Sequence, residues 1–292
     1  MNGDVLVRLR QTLPTLRPAE ARIASVVLDD PPGVVGATIT ELAARAGTSQ
    51  ATVVRFCRAV GYAGYPEFRI DLAQATSRRA VELERSGIAE GEINRTDTAT
   101  DVVSKIAFHE ARTIEETARM LDLDALEHAV DAVAAAPRVD VYGVGSSGLT
   151  GQDLAQKLAR IGIVCFAPVD LHGQLQSAAL LGEGCVAVAV SHTGTTVETV
   201  QALTLARDAG ATTVAVTNFP ASPLAELADV VLSTTARETQ FRSGAMSSRI
   251  AQLAVVDFLF VRVAQRRYDQ TAAALKVTYD AVQPHRLPIR PR

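Results

Sequence analysis

The chain has 292 residues and a mass of 30.9 kDa; 48% apolar and 21% charged residues are ordinary for globular protein and exclude wholesale disorder. Cys57, Cys165 and Cys185 are scattered without ribbon or scaffold spacing, and no uncharged apolar run reaches the roughly 18 residues of a membrane span. With no apolar core behind Asp4 to make a signal peptide, a soluble cytoplasmic protein is expected. Residues 1–80 hold ten Arg against seven Asp and Glu, whereas the remainder is acidic. That division points to two modules, the first facing a polyanion.

Residues 1–80 read as helical throughout. Pro18 opens a helix in which Ile23, Val26 and Val27 recur at helical steps, and Pro31-Pro32-Gly33 is expected to stop it. Thr40 is expected to cap Glu41 to Ala46, ended by Gly47. Ser49 caps Gln50 to Val60, and a further helix runs from about Tyr65 to Arg79. Residues 79–100 lose periodicity and read as a linker, helical at most near Arg78–Arg85. Helices follow at Thr100–Met120 and Asp124–Ala135.

Past Pro137 short β-branched runs at 139–142, 163–166, 185–190, 213–216 and 230–232 alternate with helices. Those helices are expected near Leu149–Ile161 and Gly173–Leu180 and, after Gly194, up to Ala209. Near-continuous apolar strands between helices predict a five-stranded parallel sheet covered on both faces. Ala245–Tyr268 reads as one closing helix and 281–292 as a disordered tail. The expected organisation is an all-α domain over 1–78, a linker over 79–100 and an α/β domain over 101–280.

Thr40 to Val60 has the layout of a helix-turn-helix. Leu42, Ala46, Val53, Val54 and Phe56 supply contacts between the two helices. The second helix would present Ser49, Gln50, Thr52, Arg55 and Arg58 to DNA. Gln can bond adenine, and Arg can bond guanine or phosphate. The same pattern also fits a helical hairpin with solvated arginines. Cys57 reads as a small buried filler, and Tyr62 and Tyr65 as core residues or backbone contacts.

Two loops in the second half carry a binding signal. Gly143-Val144-Gly145-Ser146-Ser147-Gly148 follows a strand and opens a helix, so backbone amides, two hydroxyls and the helix dipole converge on one place. It is read as distinct from a dinucleotide fingerprint on its glycine spacing, and because Asp170, beyond Pro168, is poorly placed for a ribose. Ser191-His192-Thr193-Gly194-Thr195-Thr196 repeats the arrangement without a Lys. Hydroxyls and amides without a cation fit a small phosphomonoester bound without metal. One such loop is ordinary capping; two at strand carboxyl ends of one sheet favour a ligand crevice.

Together these motifs resemble the RpiR/MurR regulators, which join a helix-turn-helix to a phosphosugar-binding SIS domain. Glu238-Thr239-Gln240-Phe241-Arg242-Ser243-Gly244 and Ser247-Ser248-Arg249-Ile250 share the resemblance, which covers about residues 4–275. It implies a one-component regulator of sugar or amino-sugar genes, with operator DNA and a sugar phosphate as partners. It also implies that Ser146, Ser147, Ser191, His192, Thr193, Thr196 and Glu238 hold the effector. Thr193 stands where the family more often has Ser.

The alternative is a sugar-phosphate isomerase with an accessory helical domain. Glu238 and His192, or more loosely His172, would then supply proton transfer. A helix-turn-helix has no use in an isomerase, so a regulator without catalytic residues is favoured. No metal or cofactor is expected, because five His and three Cys show no ligand spacing. One helix-turn-helix reads few base pairs, and the closing helix carries Leu253, Val256, Phe258, Leu259 and Val261. A homodimer or homotetramer is therefore expected.

Overall fold

A computed structural model describes residues 4–86, 93–238 and 245–285, with no account of side chains over 79–86. It divides into two compact units: residues 1–120 with 237–247, and residues 121–236 with 248–292.

The first unit is helical. α1 (Val5–Thr12), α2 (Pro18–Asp29), α3 (Pro31–Val35), α4 (Ile39–Arg45), α5 (Gln50–Ala59) and α6 (Tyr65–Ser86) surround one apolar core. Phe68 is its centre: Phe56 and Tyr62 meet its ring edge-on at 5.5 and 5.4 Å between centroids. Tyr62 and Tyr65 are thus core residues. The Tyr65 hydroxyl donates to Ala37 O at 2.9 Å, and Tyr62 donates to Asp71 beneath the Arg8 guanidinium.

Three expectations change here. The Pro31-Pro32 pair does not merely stop a helix; it starts α3, because Pro tolerates a helix's first turn and Asp30 caps it by accepting from Gly33 N at 3.0 Å. The Gly33 amide, and then Arg45, hold the Asp30 carboxyl below the usual carboxylate range. The cap of α4 is Thr38, not Thr40. Its hydroxyl accepts from Glu41 N at 3.2 Å while Glu41 accepts from Thr38 N at 2.7 Å, a reciprocal capping box. The expected linker is helical through Ser86, and α7 (Ala99–Met120) begins just beyond a turn at Asn94–Asp97; residues 87–92 lie outside the described residues. Asp97 forms a largely buried ion pair with Lys105 at 2.8 Å.

The second unit is a three-layer α/β/α sandwich. Its strands are β1 (Val139–Tyr142), β2 (Cys165–Phe166), β3 (Val186–Val190), β4 (Thr212–Thr217) and β5 (Val230–Ser233), all parallel, in the order β2-β1-β3-β4-β5. The helices are α8 (Leu123–Ala135), α9 (Ser146–Arg160), α10 (Leu171–Ala179), α11 (Val197–Asp208), α12 (Pro223–Leu227), α13 (Met246–Arg266) and α14 (Tyr268–Val282). β3 explains the layering. Its Val186, Val188 and Val190 enter the core formed with α8, α9 and α13, while Ala187 and Ala189 enter the core under α10 and α11. Period-two alternation sends the valines to one face and the alanines to the other.

α9 starts at Ser146 rather than near Leu149, so both serines belong to its first turn. α10 starts at Leu171, because Asp170 caps it through Gly173 N at 2.9 Å. α13 matches the expected closing helix at Ala245–Tyr268 to within two residues at either end, and a further helix not expected from the sequence, α14, follows Arg267. α14 and a 3-10 turn at Gln283–His285 carry ordered backbone into the expected tail, whose residues 286–292 lie outside the described residues. Of the closing helix's five apolar residues, Val256 and Leu259 are buried in the core, Leu253 and Phe258 are half-buried and Val261 is exposed.

Candidate functional site

The helix-turn-helix consists of α4 and α5. Leu42, Ala46, Val53 and Phe56 are buried between them and their neighbours, whereas Val54 is only half-buried. Arg22 braces the turn, donating to Ala46 O at 3.2 Å and Gly47 O at 3.4 Å, carbonyls that a helix end leaves without partners. Ser49 caps α5. Gln50, Arg55 and Arg58 are exposed, and Gln50 Nε2 donates to Thr40 Oγ1 at 2.9 Å. Thr52 differs from expectation. It is buried, and its hydroxyl pairs with Ser49 Oγ at 3.0 Å and accepts from Arg55 Nη2 at 3.1 Å. It therefore shapes the presented face by anchoring Arg55.

In the second unit, four helices follow a strand directly, and they differ at their first turns. α10 is capped by Asp170 and α12 by Ser222. α9 and α11 have Gly145 and Thr196 at the cap position, and neither makes a side-chain cap bond. The two uncapped helices follow β1 and β3, which are adjacent, and the strand order reverses between them. Crevices for ligands in open α/β sheets lie at such a reversal, outside the strand carboxyl ends. Uncapped amides and aligned dipoles there favour an anion.

The first loop packs tightly. A β-carbon on Gly143 would meet Ser147 C and O at 2.9 Å, so only glycine lets β1 turn this closely onto α9. Ser146 and Ser147 are half-buried, and Ser147 Oγ accepts from Gln252 Nε2 of α13 at 3.0 Å. Gln174 of α10 donates to Gly143 O at 3.0 Å and Pro168 O at 3.1 Å. Neither glutamine belongs to the Gly/Ser/Thr loop motifs. A polar residue inside the apolar run Ile250–Val256 was the available signal for Gln252.

The second loop is knit by its own hydroxyls. Ser191 is buried, accepts from Gly194 N at 3.1 Å and lies 3.1 Å from Thr196 Oγ1. Thr193 is exposed and accepts from the Thr195 hydroxyl at 2.9 Å, so Thr195 joins the set. His192 O accepts from Asn218 N at 3.0 Å, and its ring meets Phe219 edge-on at 5.7 Å. His172 is exposed on α10. Glu238 belongs to the stretch 237–247, which clusters with the first unit. Residues 239–244 of the same motif lie outside the described residues.

The glycine spacing does not itself exclude a dinucleotide, since Gly143, Gly145 and Gly148 do fall at Gly-x-Gly-x-x-Gly. Asp170, the first acidic residue after β2, accepts from Gly173 N at 2.9 Å as the cap of α10. Among the described residues, no group of three or more His, Cys, Asp or Glu could hold a metal ion. Nor, among them, is any helix long and apolar enough to cross a membrane.

Family comparison agrees with both halves. The helix-turn-helix domain of the rpiR family matches residues 3–79, and the SIS domain matches residues 133–262. An uncharacterized HTH-type transcriptional regulator of Caldanaerobacter subterraneus subsp. tengcongensis is 39% identical over 279 residues, 96% of this chain and 97% of that protein. The chain belongs to the RpiR family of transcriptional regulators. Another relative of this RpiR-family chain is the bifunctional protein glk of Paraburkholderia xenovorans, 36% identical over 91% of this chain and 41% of that protein. Among solved structures, Vibrio vulnificus NanR complexed with ManNAc-6P is 30% identical, covering 97% of this chain and all of that one, with a TM-score of 0.61. Two relatives matched over at least 96% of both chains are named HTH-type transcriptional regulators, which sets this RpiR-family chain with DNA-binding regulators rather than SIS isomerases.

Proposed function

We propose that the second unit binds a sugar phosphomonoester at the β1/β3 crevice, and that occupancy controls operator binding by α5 in a cytoplasmic homo-oligomer. The regulated genes would serve sugar or amino-sugar metabolism. The observation that carries this reading is the pair of uncapped helices, α9 and α11, at the reversal of strand order. A phosphomonoester carries nearly two negative charges and several acceptor oxygens, matching amides and hydroxyls from Ser146, Ser147, Thr193 and Thr196. Ser191 supports the turn from inside, and His192 adds to the proposed contacts. The phosphosugar named with the NanR structure is of this chemical class.

The test is a thermal-shift screen of hexose and N-acetylhexosamine 6-phosphates beside the same sugars without phosphate. A true effector raises the melting temperature with concentration and changes operator affinity in a mobility-shift titration. Equal responses to phosphorylated and free sugars, or none to either, would overturn the reading.

A further inference from the structure

Gln252 lies in the second turn of α13 between Ala251 and Leu253 and is 1% exposed. A buried amide is costly unless both of its ends are paired. Here Nε2 donates to Ser147 Oγ at 3.0 Å, and Oε1 lies 3.4 Å from Thr150 Oγ1, whose single proton it shares with Ser146 O at 3.3 Å. Thr150 is itself fully buried on α9, one turn beyond Ser146. The amide thus joins α13 to the first two turns of α9.

The direction of the Ser147 bond has a chemical consequence. A hydroxyl holds one proton and two acceptor lone pairs. With an amide N–H on its oxygen, Ser147 uses a lone pair and keeps its proton for another partner. Accepting that bond also polarises the O–H and strengthens it as a donor. Ser147 sits in the uncapped first turn of α9, where the neighbouring groups are donors as well. What suits this array is an acceptor-only group such as phosphate.

We propose that Gln252 is a positioning residue that fixes Ser147 as a hydrogen-bond donor to the phosphoryl oxygens of the effector. The proposal rests on the phosphosugar reading above. Glu at this position would reverse the bond, because a carboxylate only accepts and Ser147 would have to donate to it. Met would fill the space and supply no donor.

The experiment uses inorganic phosphate as the probe. Its apparent affinity is read from the phosphate-dependent melting temperature of the full-length chain, for wild type, S147A, Q252M and the double variant. S147A should weaken phosphate binding roughly tenfold, as expected for a hydrogen bond to a charged group. Q252M should weaken it several-fold, yet add less than about twofold in the S147A background, because the two residues act as one unit. Full multiplication of the two effects, or wild-type affinity in Q252M, would overturn the inference while leaving the phosphosugar reading intact. Should Q252M fail to fold, Q252E serves: it should lose at least as much affinity as S147A, and wild-type binding by Q252E overturns the proposal. A wild-type chain that binds neither phosphate nor any sugar phosphate overturns both readings together.

Discussion

Gly194 and Ser222 approach so closely that a β-carbon on the glycine would lie 2.0 Å from the serine hydroxyl oxygen. Gly194 also has φ 64, a left-handed conformation that disfavours other residues, and its carbonyl accepts from Leu224 N at 3.0 Å. The second loop is thereby seated on the start of α12. Gly194→Ala should cost about 2 kcal/mol or more, combining backbone strain with displacement of the α12 cap. Urea melts of variant and wild type measure this, and an unchanged midpoint would contradict it.

Arg55 reaches the presented face of α5 while Nη2 is tethered to the buried Thr52 hydroxyl. If Arg55 grips phosphate, R55A should weaken binding to every DNA sequence and lower the salt-dependence slope by about one. T52V should leave the charge but free the guanidinium, giving a smaller loss with the slope retained. Mobility-shift titrations across a salt series separate the two, and identical slopes for R55A and wild type would count against a phosphate contact.

Glu127 on α8 accepts from Arg262 Nε at 2.8 Å and Arg266 Nη2 at 2.8 Å, both on α13. The Arg262 hydrogen bond foremost, aided by Arg266, holds its pKa below the ordinary 4.5. A lowered folded-state pKa contributes stability that is present above the unfolded value and lost as pH falls through the folded one. Wild type should therefore lose melting temperature more steeply than E127Q on acidification below about 4.5, the ordinary carboxylate value. At neutral pH the difference should be small, because the pair is exposed. Parallel acid profiles would refute the linkage.

Burial pushes the Cys57 thiol up to about 12, and Cys165 likewise to about 12. Thiolate is the reactive form, so neither should react with a thiol reagent at about pH 8 in the folded chain. Both should become reactive in denaturant. Mass spectrometry after alkylation reads this directly, and rapid native labelling of Cys57 would show that the core opens.

The alternation of strand and helix past Pro137 was readable because Val-Ala-Val-Ala-Val at 186–190 and its neighbours are buried on both faces, leaving a continuous apolar signal. Cap positions were harder. Thr38 and Thr40 are chemically alike, and only the reciprocal bond with Glu41 chooses between them. The end of the closing helix near Tyr268 is legible, but α14 beyond it was missed, because Tyr268–Val282 carries only a weakly apolar, mostly exposed face. In the site, the loops announced themselves through Gly, Ser and Thr. Thr52 was misplaced because helical spacing puts it near the exposed face, and only packing shows its burial. Gln252 was invisible to motif reading because it acts across about a hundred residues of chain, through contact with Ser147.

β2 pairs with β1 over Cys165 and Phe166, with Val164 O accepting from Val139 N at 2.9 Å just before it, and forms one border of the sheet. A border this short presents little backbone for a further strand to join. A second copy of the chain approaching here would find the half-exposed ring of Phe166, stacked with Arg138 at 5.0 Å, rather than a ladder to extend. Along this margin, association must be selected by side-chain shape and charge, which also guards the folding chain against indiscriminate strand-by-strand growth.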